Sequence, residues 1–159
     1  MEYRLYRPED FELLYAVEEA CFKPPFRFSR SMMQRAVANS QSATWVAVAE
    51  GKPVGFALVE WAEEAGLMAA YITTIEVAPE ARRTGAGSHL LRLVEQSAQA
   101  AGARVIWLHV AVENAAAIRL YESQGYRREG REENFYAPGF AALSYAKPLE
   151  DGLQQQHGK

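Results

Sequence analysis

Residues 3–7 alternate apolar and polar side chains, the two-residue period of a half-buried strand. Pro8 then opens a helix, because proline is tolerated at the first helical position, and Leu13, Leu14, Val17 and Cys21 recur along it at helical spacing. Pro24-Pro25 ends that helix, and Ser29 predicts an N-cap for a second, short one reaching Val37. Residues 44–49 and 53–61 read as strands joined by a hairpin at Gly51-Lys52, and residues 68–77 as a third strand. A glycine-containing turn follows at residues 82–87. Leu90, Leu91, Val94, Ala98 and Ala101 then fall on one face of a helix that Gly102 stops. Residues 104–110 form a compact apolar strand. Asn114 caps a helix that Gly125 ends, and residues 126–131 and 143–147 close the chain as strands.

The predicted order is β-α-α-β-β-β-α-β-α-β-β. Its central β-α-β unit forms a right-handed parallel crossover, and the strands before it are hairpin-linked. The fold class is therefore α+β: one domain over residues 1–149, a mixed and mostly antiparallel sheet of about seven strands, with helices on both faces. Residues 150–159 are polar and without period, which predicts a flexible tail.

Composition narrows the function. A chain of 159 residues fits one domain that buries roughly 70% of its unfolded surface. A net charge of −3 argues against a general nucleic-acid binder, so any basic site is local. Cys21 is the only cysteine, which excludes an internal disulfide and a paired-cysteine metal site and leaves it as a small buried hydrophobe. His89, His109 and His157 lack zinc-motif spacing, so no metal is expected. There is no basic n-region at the start and no apolar run near the ~20 residues that span a bilayer. The expectation is a cytoplasmic protein, monomer or homodimer, with no membrane partner.

The turn Arg82-Arg83-Thr84-Gly85-Ala86-Gly87-Ser88 holds the first chemical signal. Glycines let the backbone bend and let a ligand approach closely. The free N–H groups of the following helical turn converge on one point, where the helix dipole adds positive potential. This is how a pyrophosphate is held, with Arg82 and Arg83 at its edge. A simple strand-to-helix turn with solvated arginines has the same residues. The Walker A and dinucleotide-binding glycine patterns are both absent.

The pattern Arg82-x-x-Gly85-x-Gly87 resembles the acetyl-CoA signature of the GNAT superfamily, and a second block of that family follows as Asn114-x-x-Ala117-x-x-x-Tyr121-x-x-x-Gly125-Tyr126. Within the superfamily the chain resembles the N-terminal (protein alpha-amine) acetyltransferases, including the ribosomal-protein-alanine type, through residues 108–123 and Asn134-Phe135-Tyr136. The resemblance implies a GNAT-like fold and acetyl-CoA as co-substrate. It implies that backbone groups of Ile75 and Val77 hold the acetyl group and pantetheine. Arg82, Arg83, Thr84, Gly85, Ala86, Gly87 and Ser88 would hold the pyrophosphate. Asn114 and its helix, with Ala117, would contact the cofactor's arm, and Tyr121 would lie near the sulfur. The ribosomal-protein-alanine type carries a glutamate where His109 stands. Other alpha-amine acetyltransferases carry a tyrosine and a histidine matching Tyr71 and His109, acting on a bridging water.

Acetyl transfer to an amine needs a base for the ammonium, donors for the carbonyl oxygen and an acid for the thiolate. An ammonium of pKa near 8 or 10 attacks only once deprotonated, and a positioned base contributes about 10²–10⁴-fold. His109 and Tyr71 are the candidate bases, on strands expected to be neighbours that splay around the cofactor. Glu76 is the rival; strict alternation turns it away from Tyr71, and a bulge would turn it back. Tyr121 is the candidate acid, and a backbone N–H near Val77 the oxyanion donor. Phe26 and Phe28, in an aromatic, proline-stiffened loop, and Thr73 and Tyr136, the last placed in the loop before the final strand, are the candidate acceptor-binding residues. The acceptor is a primary amine, first a protein or peptide N-terminus. A small amine or a lysine side chain is the alternative, and a non-catalytic acyl-CoA-binding module a lesser one.

Overall fold

The computed structural model describes residues 1–150; the tail beyond them lies outside the described residues. The elements are β1 (Glu2–Leu5), α1 (Phe11–Cys21), α2 (Arg30–Ala38), β2 (Ser42–Ala49), β3 (Lys52–Glu64), β4 (Leu67–Val77), α3 (Ala86–Ala100), β5 (Val105–Ala111), α4 (Ala115–Ser123), β6 (Arg127–Ala137) and β7 (Phe140–Pro148). The seven strands form one sheet in the order β1-β2-β3-β4-β5-β7-β6. Every neighbouring pair is antiparallel except β4 and β5, which α3 joins as the parallel crossover.

The two faces are filled by helices whose apolar stripes the sequence sets out. On one face α1 buries Phe11, Leu14, Tyr15 and Val17 against Val46, Val48 and Phe56 of the sheet. On the other, Leu90, Leu91, Val94 and Ala98 of α3 are fully buried against Ala57, Val59, Ile106 and Leu108. Each large side chain so buried contributes about 1.5–3 kcal/mol relative to exposure, which holds the crossover flat on the sheet. Gly55 permits close approach of β3 to β4: a Cβ there would lie 2.9 Å from the Glu76 carbonyl oxygen.

Three expectations are corrected. Pro8 begins a single 3-10 turn, Pro8–Asp10, and the α-helix starts only at Phe11. The cause is Asp10, which accepts from the Arg7 N–H at 2.8 Å and pairs with Arg4 at 2.8 Å, fixing a tight turn. Leu13 is 44% exposed, because the buried stripe runs through Phe11, Leu14 and Glu18 instead. Finally, β6 extends through Ala137, so Tyr136 sits on a strand rather than in a loop. Asn134 takes a positive φ of 58° and its side chain accepts from the Gly139 N–H at 2.7 Å, so the hairpin is kinked but continuous.

Candidate active site

Two irregularities in β4 make the site. β4 and β5 pair only at Ala69↔Val105, Ala70↔Ile106 and Tyr71↔Trp107, although both strands run on. Beyond Tyr71 they part. The backbone of β4 beyond Tyr71, including Ile75 and Val77, has no ladder partner on β5; the Val77 carbonyl accepts from Arg82 Nε and Cys21 Sγ instead. The second irregularity is a bulge: Ile72 opposes Val59 and Thr74 opposes Leu58, so Thr73 is the extra residue. The bulge reverses the side-chain parity beyond it. Tyr71 and Glu76 therefore share the face that carries α1 and α2, as a bulge was expected to arrange.

Across the parting the Tyr71 hydroxyl meets His109 Nδ1 at 2.8 Å. His109 Nε2 meets Glu132 Oε1 of β6 at 3.0 Å. A carboxylate only accepts, so Nε2–H is the donor to Glu132, and in the neutral ring Nδ1 accepts from Tyr71. Phe135 stacks on the imidazole with ring centroids 4.1 Å apart, and the His109 side chain is 8% exposed. Burial, with the charges of Glu132 and Glu60, pushes the Tyr71 phenol up to about 12. It keeps its proton at neutral pH.

Glu76 lies in the floor of the site, 5% exposed, accepting from the Thr74 hydroxyl at 2.8 Å. Glu18 of α1 is wholly buried beside it and accepts from the Phe28 N–H at 2.9 Å. With both carboxyls ionised, one oxygen of each has no donor. Burial raises both groups, Glu76 well above the carboxylate range, and the proximity of Glu18 raises Glu76 further. Burial and mutual proximity thus bias the pair towards the protonated form.

Tyr121 is buried, and its phenol is raised by burial and by the neighbouring Tyr136, Glu76 and Tyr71. Phe26 contacts Tyr136 edge to face at 5.1 Å, so the loop after α1 meets the β6–β7 hairpin over the site. Phe28 and Thr73 border one cavity beneath α2.

The glycine turn leads into α3 as the sequence requires. Gly85 is the N-cap residue at φ 81°, without a side-chain cap, and the first helical bond runs from the His89 N–H to its carbonyl oxygen at 3.1 Å. The N–H groups of Ala86, Gly87 and Ser88 therefore lie ahead of the helical ladder. The Thr84 hydroxyl donates to the Ala81 carbonyl at 2.8 Å. Arg82 folds back on β4 and donates to the Val77 carbonyl at 3.0 Å, while Arg83 stays exposed. Asn114 caps α4 by accepting from the Ala117 N–H at 3.2 Å.

Sequence reasoning missed Glu132, Glu18 and Glu60. Glu18 had a signal, a carboxylate on the apolar stripe of its helix. Glu132 had none, because β6 reaches His109 only through the insertion of β7 beside β5.

The parting of β4 from β5 and the uncapped start of α3 lie at the same end of one β-α-β crossover. Residues 10–126 match the acetyltransferase (GNAT) family, and the chain belongs to it. It is 35% identical over 86 residues to the ribosomal protein bS18-alanine N-acetyltransferase of Escherichia coli strain K12, covering 54% of this chain and 55% of the relative. It is 37% identical over 99 residues to the streptothricin acetyltransferase of Streptomyces lavendulae, covering 62% and 51%. The chain thus spans about half the length of these curated relatives it matches. The structure of Arabidopsis thaliana NAA60 with a bisubstrate analogue shares the fold at a TM-score of 0.81 and 21% identity, over 95% of this chain and 99% of that one.

Proposed function

We propose that the protein transfers the acetyl group of acetyl-CoA to a primary amine, that of a peptide or protein N-terminus. The observation that carries this reading is the Tyr71–His109–Glu132 hydrogen-bonded chain across the strand parting. Acetyl-CoA supplies the activated acetyl group and a thiolate leaving group. The backbone of β4 near Ile75 and Val77, beyond the β4–β5 ladder, would hold its arm and acetyl oxygen, and the N–H groups of Ala86, Gly87 and Ser88 its pyrophosphate, at the positive end of α3. Asn114, Ala117 and Tyr121 would line the arm on the α4 side.

The chain's own residues move the protons. The Tyr71 oxygen accepts the amine's proton, directly or through one water, as it passes its own to His109 Nδ1. Glu132 balances the imidazolium so formed, the role an orienting carboxylate plays behind a histidine base. Tyr121, held as a phenol by burial, gives its proton to the departing thiolate. Phe26, Phe28, Thr73 and Tyr136 frame the acceptor.

Similarity to the streptothricin acetyltransferase favours a second reading, a small-molecule amine as acceptor. One experiment separates the two: thiol release from acetyl-CoA with short peptides of varied first residue, N-blocked controls, lysine, polyamines and aminoglycosides. Turnover with a subset of free peptide N-termini is expected. Turnover confined to small amines would move the assignment to the second reading. Tight acetyl-CoA binding with no turnover anywhere would leave only a binding module.

A further inference from the structure

We infer that the acceptor carries a second cationic group, and that Glu60 receives it; this rests on the amine-acceptor reading above. A cavity of about 350 Å³ lies beneath α2, over β3 and β4, and Glu60 and the bulge residue Thr73 both border it. Glu60 stands directly opposite Tyr71 in the β3–β4 register. Residues so opposed have Cβ atoms about 4.5–5.5 Å apart. The Glu60 charge is felt at the Tyr71 hydroxyl.

The Glu60 carboxylate is held in place by neutral donors. Oε1 accepts from the Thr73 hydroxyl at 2.8 Å and Oε2 from the Asn39 amide at 3.2 Å. Among the described residues no lysine or arginine pairs with it. A carboxylate offers about four lone-pair sites, so two remain for an incoming donor. Beside Glu60, Asn39, Thr73 and Thr74, the cavity is lined by Phe28, Met32, Met33, Ala36 and Leu58. These five are apolar, and the thioethers adapt to an aliphatic arm. Apolar walls beside a fixed, unpaired carboxylate suit an alkyl chain ending in an ammonium or guanidinium. The close spacing of Glu60 and Tyr71 then puts that cation and the reacting amine on one molecule. For a peptide acceptor this is a lysine or arginine at the first or second position. Arg35 also borders the cavity and opposes a cation, but it is exposed on α2, where solvent and salt screen it.

The test measures kcat/KM for matched peptides with lysine or norleucine at the first or second position, and for diamines against monoamines of equal length. The wild type should prefer the charged member of a pair by about tenfold, the scale of one hydrogen bond to a charged group. That preference should shrink as salt is raised and collapse towards unity in Glu60→Gln. A preference seen only among the diamines would keep the cation site and place it in a small-molecule acceptor. No charge preference in the wild type, or one that survives both salt and Glu60→Gln, overturns the inference. The salt series needs no variant, so a misfolded Glu60→Gln does not decide the matter. Failure of every amine to react is a different result and removes the amine-acceptor reading itself.

Discussion

The Tyr71 hydroxyl and His109 Nδ1 lie 2.8 Å apart across the gap where β4 and β5 cease to pair. The last paired residues are Tyr71 and Trp107, and His109 lies beyond Trp107 on the same face of β5. The hydrogen bond therefore closes the inner end of the cleft that the parting opens. A tyrosine there presents an oxygen that can accept one proton while donating another.

If the two residues act as one relay, their losses do not add. Tyr71→Phe and His109→Ala should each lower kcat by about 10²–10³-fold, and the double variant should be little worse than either. Steady-state kinetics of the three variants decide it, and fully multiplicative losses would separate the two residues.

The pH profile gives an independent check on Tyr71. Its phenol is raised to about 12, so it stays protonated well above neutral pH. Any limb of the rate profile below about pH 9 belongs to another group. Tyr71→Phe should lower the plateau and leave the midpoint of that limb where it was. A displaced midpoint would mean that the tyrosine itself titrates there.

In the proposed relay Glu132 acts through His109, as a positioning residue. Glu132→Ala should lower kcat by about 10–100-fold, with the KM for acetyl-CoA little changed, and Glu132→Gln should recover part of the loss because its amide oxygen still accepts from Nε2–H. Nitrogen NMR of the histidine ring should show the Nε2–H tautomer in the parent and a mixture in Glu132→Ala. An unmixed tautomer in that variant would show that Glu132 does not set it.

The Glu18–Glu76 pair makes a prediction about stability. Both carboxyls are raised in the folded protein, so folding favours their protonated form. The stability tied to that proton is complete below the unfolded carboxylate pKa and is lost as pH rises through the folded value. Glu76→Gln keeps a donor towards Glu18 and an acceptor for Thr74 without a proton to lose. It should raise the melting temperature at pH 8 by about 2–4 °C, the shift expected for ~1 kcal/mol in a domain of this size, and flatten the alkaline decline. Calorimetry across pH 5–9 measures this; an unchanged pH slope would mean that folding does not raise the pair.

Gly85 sets the backbone of the turn that leads into α3. Its φ of 81° is one that an L side chain adopts at a cost of about 1–2 kcal/mol, although no atom would obstruct an added Cβ. Gly85→Ala should therefore lower stability by that amount and weaken acetyl-CoA binding about tenfold or more by turning the N-terminal N–H groups of α3, with kcat at saturation much less affected. Isothermal titration with acetyl-CoA tests it, and unaltered affinity would take the turn out of the phosphate site.

What the sequence determined by itself is what depends on neighbours along the chain. The helical spacing of Leu90, Leu91, Val94 and Ala98 gave α3 and its buried face, and Ser29 and Asn114 marked helix starts that their side chains do cap. Gly85 and Gly87 marked the turn for the same reason, since the need for a positive φ and a bare helix end is local. The order of elements followed from these signals, and with it the parallel crossover. The tertiary structure decided what depends on strand register and on contacts between distant segments. A single extra residue at Thr73 turned Glu76 onto the face of Tyr71, because side-chain direction in a strand reverses with every residue. The placement of β7 between β5 and β6 brought Glu132 to His109 across one intervening strand, a strand order that hydrophobic period does not encode. The burial that raises the Tyr71 phenol and the Glu76 carboxyl likewise exists only once α1, the sheet and the β6–β7 hairpin have closed around them, because desolvation acts on a group through everything packed against it.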